Sequence, residues 1–169
     1  PGIAAQRLHA VGLGDAGKLD AKAQRKAFGA AGRALATGSV ADALIALTAD
    51  RVSVPARQGA RDLVIALEEA TYRFDQLKSK PTPPKVPLAR VTLLAADRSA
   101  ANALRRGVDE GVAIAAGTRL AKDLGNLPGN VCTPIHLAAT ARKVARGRAK
   151  LRVEVLEQKD MARLGMGAL

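Results

Sequence analysis

The side chains best suited to nucleophilic or soft-metal chemistry are few: Cys132, His9 and His136 are the only cysteine and histidines in 169 residues. Cys132 and His136 stand four apart, the spacing that places two ligands on one helix face. Thr133-Pro134, however, reads as an N-cap followed by a first helical position, where proline's missing N–H is harmless. Cys132 therefore precedes the helix, His9 is remote in sequence, and two ligands fall short of the three or four a zinc site uses. A nucleophilic Cys132 would need a base and an orienting group, and no local residue supplies them. An ordinary thiol is the better reading. Among the carboxylates, only Glu68-Glu69 and Asp109-Glu110 are adjacent, and adjacent residues on a helix face different ways. Hydrolysis through a metal-held water needs several carboxylates converging on the ions, and this pattern does not provide them.

Two further patterns invite ligands. Gly12-x-Gly14-x-x-Gly17 has the dinucleotide-binding spacing, with a strand expected over 7–13 and a helix after it, where glycines let a pyrophosphate approach a helix N-terminus. The acidic residue required about 20 positions on is missing, since Asp42 and Asp50 stand 25 and 33 residues beyond Gly17. The motif is read as a turn. The second pattern is charge. Arg142, Lys143, Arg146, Arg148, Lys150 and Arg152 make six basic residues in eleven, within a chain of 27 basic and 15 acidic residues and net charge +12. Such a run binds nucleic acid by releasing counterions from phosphates. Charge runs are more often solvated faces, and base-stacking aromatics are absent from this one. DNA binding is the minority reading.

These residues must be held by an α/β fold. Apolar positions at Leu19, Ala23, Ala27, Ala30, Ala31, Ala34 and Leu35 predict a helix over 18–37, closed by Gly38. A buried strand is expected over 43–48 and a helix over 55–70, through Ala56, Ala60, Leu63, Val64 and Leu67. Strand alternating with helix indicates the α/β class, a small mixed sheet flanked by helices. Residues 80–87, K-P-T-P-P-K-V-P, lack the backbone donors that a helix or central strand needs, and read as an extended exposed connector.

A strand over 90–95 precedes a long helix over 99–124, whose ~25 residues would span nearly ~40 Å, enough to join two domains. Its Gly107, Gly111 and Gly117 each cost about 1 kcal/mol against alanine, which suggests close approach of a neighbouring backbone; a break near Gly117 is the alternative. Charged Arg105, Arg106, Asp109 and Glu110 exclude a membrane reading of that glycine pair. After the 126–132 loop a helix should run to about Arg146. Leu151, Val153 and Val155 alternate with Arg152 and Glu154 as in a strand with one wetter face.

Three ordered segments carry a family likeness: Tyr72-Arg73-Phe74-Asp75 with Lys78-Ser79; L-A-K-D-L-G-N-L-P-G-N-V-C-T-P over 120–134, with Asn126, Pro128, Asn130, Thr133 and Pro134; and Leu164-Gly165-Met166-Gly167-Ala168-Leu169. Together they resemble the leucyl aminopeptidases, also called cytosol aminopeptidases. The resemblance implies a hexameric exopeptidase with two divalent ions, manganese or zinc, held by a lysine and several acidic side chains. The family's N-T-D-A-E-G-R-L signature is not in this chain, so the resemblance assigns no catalytic, cofactor or metal residue here. It implies a piece of a longer enzyme: an accessory α/β domain lacking its first strands over 1–98, an interdomain helix over 99–124, and the start of a catalytic domain over 125–169. Asn126, Pro128 and Asn130, and the Tyr72–Lys80 stretch, are then architectural. Some members of that family also bind DNA. The functions in contention are therefore the non-catalytic part of a metal-dependent peptidase, a basic DNA-binding or regulatory module, and, third, a nucleotide-binding domain.

The hydrophobic fraction of 48% is dominated by alanine, with Tyr72, Phe28 and Phe74 the only aromatics. Alanine removes little apolar area, so close helix packing must replace bulk. One cysteine excludes an intrachain disulfide. No apolar run spans a bilayer and no signal segment opens the chain, so a cytoplasmic location is expected.

Overall fold

The computed structural model describes residues 4–15, 19–46, 54–82 and 86–167. Its elements are α1 (Ala21–Thr37), β1 (Asp42–Ala46), α2 (Ala56–Thr71), β2 (Arg90–Leu94), α3 (Arg98–Asn126), α4 (Pro134–Ala145) and α5 (Gln158–Arg163). They form two compact units, residues 1–122 and 123–169, which divide within α3. The α/β class is as expected, and the sheet among the described residues is a pair of parallel strands.

In the first unit, Asp20 caps α1 by accepting from the Ala23 N–H at 2.7 Å, which satisfies one of the donors a helix start leaves free. Gln24, Ala27, Phe28 and Gly32 form its buried stripe. The β1 and β2 strands pair in register from Asp42↔Arg90 to Ala46↔Leu94, with α2 as the crossover that parallel neighbours require. Strand alternation turns Ile45, Val91 and Leu93 inward, against a core of Phe28 from α1 and Leu63, Ala66 and Leu67 from α2. Both helices therefore cover one face of the sheet. Leu44 and Leu94 lie on the other, 68% and 56% exposed.

The α2–α3 seam explains two of the four glycines in α3, Gly107 and Gly111. A Cβ on Gly107 would stand 2.1 Å from the Arg57 carbonyl oxygen and 2.9 Å from Ala60 Cβ; one on Gly111 would stand 2.7 Å from Val64 Cβ. Both glycines are buried, so the helices meet at backbone distance, as alanine-rich packing demands. A Cβ on Gly117 would meet nothing within 4 Å, and α3 passes through it without the break that was the alternative expectation. Ion pairs flank the seam: Arg57 with Glu110, Arg119 with Glu68, and Lys122 with Glu69 at 3.8 Å.

In the second unit, Thr133 caps α4, its hydroxyl accepting from the His136 N–H at 3.3 Å, with Pro134 at the first helical position. A capping box between Glu157 and Asp160 starts α5. Its end is closed by Gly165 at φ 72° and by the Met166 N–H bonding the Met161 carbonyl at 3.0 Å.

Two expected strands do not form. Residues 7–13 and 151–155 carry no regular structure. Val153 and Val155 are half-buried while Arg152 and Glu154 are exposed, so the alternation survives without a ladder. A strand exists only through a partner, and among the described residues neither segment has one. The helix α5 was not expected. Of the Pro-rich connector, residues 80–82 and 86–87 are irregular and mostly exposed, and 83–85 lie outside the described residues.

Candidate functional site

The chemistry-bearing stretch between α3 and α4 is built almost wholly from backbone turns. Leu127 N–H bonds the Leu124 carbonyl at 3.3 Å as the helix ends; the Val131 and Cys132 N–H groups both bond the Pro128 carbonyl at 2.9 Å; Thr133 N–H bonds the Val131 carbonyl at 2.9 Å. Pro128 presets the turn and Thr133 ends it by opening the next helix. The turn displays Asn130 at the surface and leaves Cys132 and Thr133 half-covered. Cys132 is a free thiol outside α4, as the N-cap argument requires. His9 is exposed within the irregular 7–13 segment.

Around Tyr72 the structure builds a clasp. The Lys122 ammonium lies 5.1 Å from the centroid of the Tyr72 ring, a cation–π distance. Asp75 accepts from Lys78 Nζ at 2.8 Å and from Arg73 Nε at 3.2 Å. Arg73 also donates to the Thr82 carbonyl, holding the start of the Pro-rich connector. The hydrogen bond from Lys78, then that from Arg73, hold the Asp75 carboxyl below its ordinary range. Phe74 is half-buried and lies outside the core cluster of Phe28, Leu63, Ala66 and Leu67. These polar contacts all join one part of the clasp to another, to α3 or to the connector.

The basic run is the opposite. Arg142, Lys143, Arg146, Arg148, Lys150 and Arg152 are all exposed. Arg148 donates to the Val144 carbonyl, and none of the six forms an ion pair among the described residues. The Gly12-x-Gly14-x-x-Gly17 motif loses its context, because no strand precedes it; Gly14 turns at φ 83° and Gly17 lies outside the described residues. Among the described residues no three His, Cys, Asp or Glu side chains are grouped to hold a metal ion, and no helix is long and apolar enough to cross a membrane.

Two features escaped the sequence reading. Gln24 and Asp62 are buried polar residues, 3% and 5% exposed. Asp62 takes charge-assisted contacts from Arg61 at 3.0 Å and Arg25 at 3.5 Å, whereas Gln24 Oε1 has no hydrogen-bond partner among the described residues. Both occupy positions that helical spacing assigns to the packed faces of α1 and α2, the one signal that points to them. The second feature is an open groove of about 400 Å³, floored by Val64 and Leu67 of α2 and walled by Leu88 and Val91 on one side and Val112 and Ala115 on the other. No sequence pattern marks it.

Comparison with known proteins places these features. Residues 1–81 match the N-terminal domain of the cytosol aminopeptidase family, and residues 119–169 match the catalytic domain of the same family. A probable cytosol aminopeptidase of Nitrosococcus oceani is 42% identical over 170 residues, covering 100% of this chain and 34% of its own length. One from Aromatoleum aromaticum is 44% identical over 176 residues, covering 100% of this chain and 34% of its own. The chain thus spans about a third of the length of the curated relatives it matches. Among solved structures, the bottromycin maturation enzyme BotP in complex with Mn is 34% identical with a TM-score of 0.72, over 92% of this chain and 31% of that one; a second BotP structure gives 0.73 over 92% and 32%. Two domain matches of one family, in order and on the elements just described, establish that this chain belongs to the cytosol aminopeptidase family.

Proposed function

We propose that these residues are the N-terminal part of a metal-dependent leucyl aminopeptidase that releases N-terminal amino acids from peptides, and that their role there is structural. The observation that carries this reading is the order of the two family matches, the N-terminal domain on 1–81 and the catalytic domain from 119, with α3 running unbroken over Arg98–Asn126 between them. The working division is an accessory domain over 1–98, a connecting helix over 99–124, and the opening of the catalytic domain over 125–169. The complete enzyme then works in the cytoplasm as a hexamer with two divalent ions, manganese or zinc. The likeness to BotP, solved in complex with Mn, favours manganese.

The described residues do not fit a metal pair, since no group of three acidic, His or Cys side chains converges among them. No hydrolytic step is therefore assigned to this chain. What its own residues supply is position: the 127–133 turn aims the chain from α3 into the capped start of α4. The test is a leucyl-amide assay on the rigorously pure 169-residue chain with manganese or zinc added, beside the product of the full open reading frame. Turnover is expected from the longer product alone. Chelator-sensitive turnover that follows the 169-residue chain through purification sinks the reading.

A second reading rests on a separate observation, six exposed cations between Arg142 and Arg152 without acidic partners among the described residues. This surface binds DNA through phosphates. Affinity should fall steeply with salt, and neutralising Arg142, Arg146 and Arg148 should reduce the log–log salt slope by about 1 per lost phosphate contact. Salt-independent binding, or none at low ionic strength, removes it.

A further inference from the structure

We propose that the outward face of α1 is a docking seam for an acidic helix of a partner protein. The helix contains no acidic residue between Ala21 and Thr37. Its buried stripe, Gln24, Ala27, Phe28 and Gly32, is turned toward α2 and the core. Across the helix, Lys22, Lys26, Gly29 and Arg33 stand at i, i+4, i+7 and i+11, the spacing of one face. The three cations are exposed, and none of them forms an ion pair among the described residues. Arg25, on the flank of this face, is already engaged with Asp62 at 3.5 Å.

The α2–α3 seam shows what such a face meets. There, Gly107 and Gly111 let a neighbouring backbone approach, and Arg57, Arg119 and Lys122 each close on a carboxylate. On the inner side of α1, Gly32 serves α2 in the same way, since a Cβ there would stand 3.1 Å from the Ala66 carbonyl oxygen. Glycine weakens a helix interior relative to alanine, and at Gly29 no neighbouring backbone offsets that loss. A Cβ on Gly29 would meet Arg33 Nη1 at 3.4 Å, the movable end of a side chain. The outer face of α1 thus has the composition of the seam, a glycine among cations, without the acid-bearing helix.

The chemistry of the occupant follows from this geometry. A helix laid along α1 shares its rise per residue, so carboxylates spaced four and seven residues apart meet Lys22, Lys26 and Arg33, which lie about 6 Å and then about 10 Å apart along the axis. Gly29 admits the partner's backbone between them. Nucleic-acid phosphates would make no use of that glycine, and Phe28, the only aromatic of α1, is buried where no base can stack on it. A lipid surface would call for exposed apolar anchors, and α1 exposes no large apolar residue.

The experiment measures, by fluorescence anisotropy at low ionic strength, a labelled alanine-rich helical peptide of about 18 residues binding to the product of the full open reading frame. The peptide carries three glutamates spaced four and seven residues apart; an isomer with the same glutamates dispersed around the helix is the comparison. The spaced peptide should bind at least about 10-fold more tightly, and Lys22→Gln, Lys26→Gln and Arg33→Gln together should weaken it about 10-fold, as expected of three exposed pairs. Gly29→Leu, which leaves every charge in place and favours the helix, should weaken it as well, by holding the partner's backbone away. Replacing Arg142, Arg146 and Arg148 by glutamine should leave it unchanged. Equal binding of the two peptides, or unaltered affinity in either α1 variant, overturns the seam. A short DNA duplex that displaces the peptide, and itself loses affinity with the three α1 cations, overturns it in favour of nucleic acid.

Discussion

The α2–α3 seam and the stretch from Arg142 to Arg152 are built from the same materials, alanine, glycine and basic residues, and come to opposite ends. Along the seam, glycines bring two backbones together and Arg57, Arg119 and Lys122 each meet a carboxylate. Along the basic run, the six cations face solvent without an acid among the described residues, and α4 and α5 bury no residue at all. The first region is settled within its own unit, whereas the second carries charge directed outward. A basic residue's role is therefore set by whether the fold delivers an acid to it, which counts of charge along a chain do not reveal.

The sharpest way to break the contrast is Gly107→Ala. Its added carbon would meet the Arg57 carbonyl oxygen, a backbone atom that no rotamer change can move. Overpacking of well-filled sites costs about 1–3 kcal/mol and occasionally more, and a backbone clash belongs at or above the top of that range. Urea titration should show the midpoint of the first unit collapsing. On the same helix Gly117→Ala should do the reverse and stabilise by about 1 kcal/mol, since nothing lies within 4 Å of the added carbon and alanine is the better helix former. A loss of stability at Gly117 would mean that the open side of α3 is in use.

These two glycines also mark the limit of what was legible. Three glycines in a helix announce close approach, but identifying the two that achieve it requires knowing which helix faces α2. The start of α4 was recovered because its capping chemistry is local, at Thr133-Pro134, whereas α1 begins after an Asp20 cap that the expected 18–37 helix ran past. The β1 and β2 strands were recovered because each has the other. Residues 7–13 and 151–155 have strand-like sequences and no described ladder, which no local pattern can foresee. The six-residue α5 is too short to show an apolar stripe, although its Glu157–Asp160 box and Gly165 were readable signals. Of the candidate site, the 126–134 turn was legible through its proline and cap. The groove was not, because its walls come from three elements distant in sequence.

A smaller effect tests the other half of the contrast. Replacing Arg142, Arg146 and Arg148 together by glutamine should leave thermal stability within about 0.5 kcal/mol, as for surface changes that break no ion pair. Arg57→Gln, which removes the partner of Glu110, should cost a small but measurable amount, as losses of exposed ion pairs do. If the triple variant is the more damaged, the basic run is structural and its outward role falls.

The smallest expected effect is a pH dependence confined to the first region. The hydrogen bond from Arg57 holds Glu110 below the ordinary carboxylate range, and those from Lys78 and Arg73 do the same for Asp75. A carboxyl whose folded pKa lies below its unfolded one binds fewer protons when folded, so its contribution is fully present above the unfolded pKa. It is lost as pH falls through the folded value. Stability should therefore be flat through neutrality and decline on the acid side, first through the ordinary carboxylate range and then below it. The groups are exposed, so the decline is shallow and salt screens it. Thermal melts taken from neutral pH downward, at low and high salt, should show the Asp75→Asn, Glu110→Gln double variant with a flatter acid limb than the parent. Identical slopes would mean that these pairs do not hold the clasp and the seam. The basic run contains no carboxylate between Arg142 and Arg152, and its neutralised variant should follow the parent's acid limb throughout.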